Sequence, residues 1–256
     1  DLETRANVPH HLIDIRDPTE TYSAAEFRVD ALEAIAGVHA RGRLPLLVGG
    51  TMLYFRVLRD GIAPMPNRDE AVRARIDALA QREGWGAVHA RLAEVDPAAA
   101  ARIHKNDPQR LQRALEVFEL TGESMTELHQ RVVTPCPYDC LYLGITSPDR
   151  ALLHQRIVAR FDAMLECGFI DEVRGLHGRG DLSAELPAMR AVGYRQVWEH
   201  LEGHTDYVGM VAKGYAATRQ LAKRQLTWMR SWRDLVPVSG DPAEALKILG
   251  STSILG

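Results

Sequence analysis

Apolar and polar positions follow two rhythms along the chain, one of strand length and one of helical period. The rest is organised around Leu44 to Phe55, LPLLVGGTMLYF. Leu44 and Leu46 to Val48 form an apolar run of strand length, with Pro45 near its start, where a missing N–H matters least. Gly49 and Gly50 stop the run, and Thr51 is placed to cap a following helix. Two glycines leave no side chain in the way of a ligand, and ligands of open α/β sheets gather outside the carboxyl ends of the strands. A plain tight turn explains the same pair. Upstream, VPHHLIDIRD from Val8 to Asp17 reads as a strand or strand edge around Leu12, Ile13 and Ile15. Ser23 and Glu26 form a capping box for a helix whose inner face is Phe27, Ala31, Ala34, Ile35 and Val38, and Gly42 ends it. Strand, helix and the Leu44 strand predict a crossover that builds a parallel sheet.

The rhythm changes at Ile62. Pro64 and Pro66 are followed by helical patterning with little strand signal until Cys140, which predicts a helical insertion over 62–139 in an α/β core made of 1–61 and 140–256. Asn67 is expected to cap a helix carrying Val72, Ile76 and Leu79, with Asp69 and Glu70 in its first turn and Gly84 at its end. Trp85, Val88, Leu92 and Val95 continue on a second helix. Asp96-Pro97 and Asp107-Pro108 each join a cap to a first-turn proline. In the helix that Asp107-Pro108 opens, Leu111, Ala114, Leu115 and Phe118 face inward, while Arg110 and Arg113 face outward as solvated arginines ordinarily do. Cys140 to Ile145 reads as a strand returning to the sheet. Ser147-Pro148 is expected to cap a helix running to Cys167, with Leu153, Ile157, Phe161 and Met164 inward and Gly168 as its stop. The tail from Gly240 to Gly256 reads as peripheral.

A net charge of -3 does not suggest nucleic acid, so any polyanion contact must come from a local cluster. Arg156 and Arg160 share one outward face four residues apart and suit a diphosphate, although a salt-bridged surface helix is the commoner use of such a pair. Gly193 between Arg190 and Arg195 suggests a turn with basic residues on both sides. From Asp206 to Asp234 no acidic residue intervenes, while Lys213, Arg219, Lys223, Arg224, Arg230 and Arg233 are basic. On a helical wheel Arg219, Lys223, Arg230 and Arg233 form a stripe opposite Ala217, Leu221, Trp228 and Trp232, one face for polyanion and one for core. Metal signals are weak. His10 and His11 diverge on a strand, with Asp14 beyond them, and Cys136 and Cys140 make an incomplete zinc set. The odd count of three cysteines reads as reduced thiols in a cytoplasmic protein. No apolar stretch approaches the roughly 18–20 residues of a membrane helix. Neither G-x-x-x-x-G-K-[ST] nor G-x-G-x-x-G occurs.

Taken together, PHHLIDIRDP with YSA, LPLLVGGTMLYF, EVDPAAAARIHKNDPQRLQRALEVFELTG, RAVGYRQVW and ATRQLAKRQLTWMRSW closely resemble the bacterial tRNA dimethylallyltransferases (tRNA isopentenyltransferases), nearly end to end. The resemblance implies a P-loop NTPase-like parallel-sheet core with an all-helical insertion. It implies transfer of a dimethylallyl group from dimethylallyl diphosphate to N6 of adenine 37 of tRNA, with magnesium as cofactor. The implied partners are the tRNA anticodon arm and the diphosphate donor, for a monomer with no membrane association. Carried over position by position, it implies tRNA contacts at Thr51, Arg73, Gln109, Arg110, Leu111, Gln112 and Arg113. The same holds for Arg190, Ala191, Val192, Gly193, Tyr194 and Arg195, and for Lys223, Arg224, Gln225, Leu226, Thr227, Trp228, Met229 and Arg230. Arg160 matches a diphosphate-contacting position, and Arg160 and Thr51 are the catalytic candidates. Family members begin with a strand, a P-loop and a helix, then a segment holding the aspartate that acts on the adenine amine. All of these would lie ahead of Asp1, so the expectation is a chain incomplete at its N-terminus whose 256 residues alone transfer no prenyl group. Two other readings compete. A noncatalytic tRNA-binding remnant would bind tRNA in a salt-sensitive way without turnover, and a small-molecule P-loop kinase would transfer phosphoryl groups without tRNA and have no use for the basic stripe.

Overall fold

The computed structural model describes residues 2–131, 133–147 and 149–251. The chain divides into two compact units, one made of the residues up to Val57 and from Tyr138 onward, the other of Leu58–Pro137. The first unit opens with α1 (Leu2–Asn7), α2 (Ala24–Ala40) and α3 (Met52–Asp60), and the unit boundary falls inside α3. The Ser23–Glu26 capping box is present at α2, which buries Ala31 and Ile35 and is followed by Gly42 at φ 65°. Phe27 of α2 stacks on Tyr54 of α3 at 4.3 Å between ring centroids.

The two strands expected around α2 do not form. Between Val8 and Asp17 the backbone turns irregularly, with Leu12 and Asp14 at φ 60° and 56°. Left-handed residues break the alternation a strand needs, and Arg179 pins the far end of this loop through both oxygens of Asp17, at 3.0 and 2.9 Å. Leu44 to Val48 also lies outside any strand, with Leu46 77% and Val48 86% exposed. A strand is a pairing rather than a composition, and among the described residues no strand pairs with this run. The parallel sheet is built elsewhere.

The second unit contains α4 (Glu70–Glu83), α5 (Trp85–Val95), α6 (Pro97–Arg102), α7 (Pro108–Thr121) and α8 (Met125–His129). Val72, Ile76, Val88, Leu92, Leu111 and Leu115 form its core. Asp96 and Asp107 cap their helices with proline following, as their dipeptides predict. Asp69, not Asn67, caps α4, accepting from the Val72 N–H at 2.9 Å.

In the first unit the chain continues through β1 (Tyr142–Ile145), α9 (Arg150–Glu166), α10 (Phe169–His177), α11 (Tyr194–Leu201), α12 (Tyr207–Arg230), β2 (Leu235–Val238) and α13 (Pro242–Ser251). β1 and β2 pair in parallel, Tyr142 opposite Leu235 and Ile145 opposite Val238, joined by the helical crossover. The result is a mostly helical α/β protein with a small parallel sheet. α9 is capped by Asp149, whose carboxylate accepts from the Ala151 and Leu152 N–H groups at 2.7 and 3.2 Å. Pro148, expected to share in that cap, lies outside the described residues. Phe161, Phe169, Val173, Val197, Trp198 and Met210 knit α9 to α12 into one core. Among the described residues no helix is long and apolar enough to cross a membrane.

Candidate functional site

The Gly49–Thr51 turn and the C-terminal half of α12 meet. Gln225 Nε2 donates to the Gly50 carbonyl oxygen at 3.0 Å, and a Cβ added at residue 50 would lie 2.3 Å from that nitrogen. The amide therefore sits where only a residue without a Cβ leaves it room. The Arg56 guanidinium of α3 lies 5.8 Å from the Trp228 ring centroid, within cation–π range. Beside this junction an open cleft of about 340 Å³ is lined by Gln220, Lys223, Arg224, Thr227 and Trp228. Thr227 donates its hydroxyl back to the Lys223 carbonyl at 2.9 Å, so the polar edge is shared between Lys223, Arg224 and Gln220. Sequence reasoning missed Gln220, although its spacing of three and four from Lys223 and Arg224 places it on their face.

The basic stripe is shorter than the helical wheel implied. Lys223, Arg224 and Arg230 are exposed, with Arg230 as the last residue of α12, where a cation also suits the helix dipole. Leu226 and Met229 are half-buried. Arg219 is half-buried too, and its Nε is shielded from solvent without a hydrogen-bond partner. Arg233 lies past the end of the helix. Lys213 donates to Glu199 at 3.0 Å, and that carboxylate, held low chiefly by this bond, also takes Arg195 at 3.1 Å.

The Arg190–Arg195 segment is a turn, as expected, but much of it serves the framework. Gly193 is buried at φ 97° as the N-cap of α11, and an added Cβ would lie 3.1 Å from the Phe169 ring. Its N–H donates to Gln196 Oε1 at 2.8 Å. Tyr194 donates its hydroxyl to Glu172, and burial followed by this bond pushes the phenol up to about 12. Val192 is half-buried, whereas Arg190 and Ala191 are exposed. Arg156 and Arg160 are both exposed on α9.

In the helical unit, the positions read from the resemblance separate sharply. Leu111 is fully buried in the core, so its side chain holds α7 in place rather than meeting a partner. Gln109 and Arg110 are exposed, Arg110 lying 3.5 Å from Asp107. Gln112 donates to Asp77 Oδ1 at 2.7 Å. Arg113 is not a solvated arginine, because Nη1 bonds Glu116 at 2.7 Å and Nη2 bonds the Pro66 carbonyl at 2.7 Å. Arg73 grips the same carboxylate through Nε at 2.8 Å and Nη2 at 3.0 Å. Burial raises the Glu116 pKa, but bonds from Arg73, Arg113 and the Asp69 N–H outweigh it and hold the carboxyl down to about 2. Its stabilising contribution is therefore complete above the ordinary carboxylate range and is lost as pH falls toward 2.

The described residues contain no group of three or more His, Cys, Asp or Glu arranged to hold a metal. His10, His11 and Asp14 thus form no such set, and the three cysteines are free thiols. Among the described residues the magnesium implied by the resemblance therefore has no cluster of three such side chains to hold it.

Fold and site together define a mostly helical α/β protein that presents a basic cleft against a glycine turn. Over residues 1–232 the sequence matches the IPP transferase family, and the chain belongs to that family. It is similar to the full-length tRNA isopentenylpyrophosphate transferase of Bacillus halodurans, with 35% identity over 97% of this chain and 78% of that one and a TM-score of 0.65. It is also similar to tRNA delta(2)-isopentenylpyrophosphate transferase of Staphylococcus epidermidis, with 28% identity over 98% and 83% and a TM-score of 0.64. In fold alone it matches a eukaryotic dimethylallyltransferase acting on tRNA, with 24% identity over 97% and 66% and a TM-score of 0.78.

Proposed function

We propose that this protein transfers a dimethylallyl group from dimethylallyl diphosphate to N6 of adenine 37 of tRNA. Family membership supports the reaction class. The observation that carries the reading is the Gln225–Gly50 bond, which ties the glycine turn to the stretch of α12 that carries Lys223, Arg224 and Trp228.

The chemistry explains the need for such a site. An exocyclic adenine amine is a poor nucleophile, so the base must leave its stack and be held against the allylic carbon. A C–N bond forms as the allylic C–O bond breaks, the amine gives up a proton, and diphosphate departs carrying the bonding pair. Arg160 offers a planar fork of donors to that leaving group, and Thr51 sits at the turn where donor and base meet. Lys223, Arg224 and Arg230 meet RNA phosphates, and Trp228 supplies an aromatic face. The helical insertion, with Arg73 and Gln109–Arg113, grips the anticodon arm.

Incubating the intact protein with tRNA and labelled dimethylallyl diphosphate, then digesting to nucleosides for mass spectrometry, tests this directly. The expected product is prenylated adenosine at position 37, with no transfer to tRNA carrying guanine there. Label outside adenine 37, or no label from protein that also carries the P-loop segment expected ahead of Asp1, overturns the reading.

A further inference from the structure

Glu116 has no exposed surface, yet its two oxygens collect four N–H donors: the Asp69 N–H at 2.9 Å and Arg73 Nε at 2.8 Å on Oε1, Arg73 Nη2 at 3.0 Å and Arg113 Nη1 at 2.7 Å on Oε2. A carboxylate offers about four lone-pair sites, so this one is saturated and no ligand can use it. The arginines are different. Their side chains remain 21% and 29% exposed, and neither Arg73 Nη1 nor Arg113 Nε is among the described nitrogens shielded from solvent without a partner. Arg113 is fixed a second time by Pro66, leaving Arg73 Nη1 and Arg113 Nε as the donors outside the clamp. One negative and two positive charges leave the cluster positive.

Stability alone is a poor account of this arrangement. A buried ion cluster is often matched or bettered by apolar packing of the same volume. Leu111, Ala114, Leu115 and Val117 already anchor α7 in the core, and a leucine at 116 would extend that row. What a carboxylate does that leucine cannot is hold two long side chains each in one conformation. An arginine that is free before binding loses that freedom when it meets a phosphate, whereas a clamped one has already lost it.

We infer that Glu116 is a positioning residue that sets Arg73 and Arg113 as one rigid phosphate-binding pair for the RNA substrate. This rests on the proposal that the protein acts on tRNA. The ligand is a backbone phosphate rather than a base edge, because the cluster keeps a net positive charge that suits an anion better than a neutral base.

The test is tRNA binding by the intact protein across a salt series, with the tRNA KM and kcat measured in parallel. Glu116→Gln removes the charge and turns an amide N–H toward the guanidiniums. The variant is expected to weaken tRNA binding roughly tenfold, to lower the salt slope by about one, and to raise KM with kcat changed by less than about twofold. A cooperatively folded Glu116→Gln protein with wild-type affinity and slope overturns the inference. If that variant does not fold, Arg73→Lys keeps both the carboxylate and the charge but loses the fork. It is expected to bind tRNA several-fold more weakly, and unchanged binding again overturns the inference. Wild-type protein that also carries the segment expected ahead of Asp1 and binds tRNA but transfers no prenyl group would refute the proposed reaction, while the binding comparison would still decide the role of Glu116.

Discussion

A single absent methyl group at residue 50 decides whether the glycine turn can meet α12. The atom a Cβ would strike, Gln225 Nε2, is the mobile end of a side chain, so Gly50→Ala should displace the amide rather than disrupt the fold. The lost hydrogen bond is a net contribution of about 1 kcal/mol, and the expected loss of stability is no larger than that. Transfer activity should fall further than stability, because the turn then loses the contact that fixes it beside Lys223 and Arg224. Gln225→Ala removes the same bond from the other side. The double variant should therefore be no worse than either single one in a prenylation assay, and additive losses would show that the two residues act separately.

At the scale of elements, α9 and α12 approach closely because residue 214 has no side chain. A Cβ there would lie 2.3 Å from Phe161 Cζ and 2.7 Å from Cε1, and Phe161 is itself buried. Unlike the amide at Gly50, a packed ring cannot swing clear. Gly214→Ala should destabilise the protein by about 1–3 kcal/mol in urea unfolding, and Phe161→Leu in the same chain should recover part of the loss. No sequence rule distinguishes this glycine from Gly209 five residues earlier, because the reason for it lies on another helix. The elements that were legible are those whose cause is local. The Ser23–Glu26 box, Asp96-Pro97 and Asp107-Pro108 each specify a helix start within four residues, and the structure has all three. Leu44 to Val48 carries a strand's composition, but a ladder depends on a neighbour that periodicity cannot supply. β2 shows the converse. Leu235–Val238 has four residues including Pro237, a weak strand by composition, yet it pairs with β1 along its full length. Arg113 lies three residues from Glu116 on the same helix, but the clamp was invisible for the same reason, since its other arginine, Arg73, lies on a different helix.

For the whole molecule the question is how a chain of net charge -3 would hold the polyanion proposed for it. The answer lies in how its cations are allotted. Lys213 and Arg195 are tied to Glu199, Arg179 is tied to Asp17 and Asp181, and Arg73 and Arg113 share Glu116. Lys223 and Arg224 instead stand exposed on a helix that has no acidic residue from Tyr207 to its end. Long-range attraction would then be weak, and the proposed RNA binding would depend on short-range phosphate contacts that salt screens directly. Replacing both residues in Lys223→Gln/Arg224→Gln should leave the urea midpoint nearly unchanged, because both are on the surface, within about 0.5 kcal/mol. The same variant should lower the slope of log affinity against log salt by between about one and two, one phosphate contact for each charge removed. A salt slope equal to that of the wild type would mean that tRNA does not meet this face of α12. The basic half of the helix would then be ordinary solvated surface, and the grip on RNA would have to rest on Arg73 and Arg113 instead.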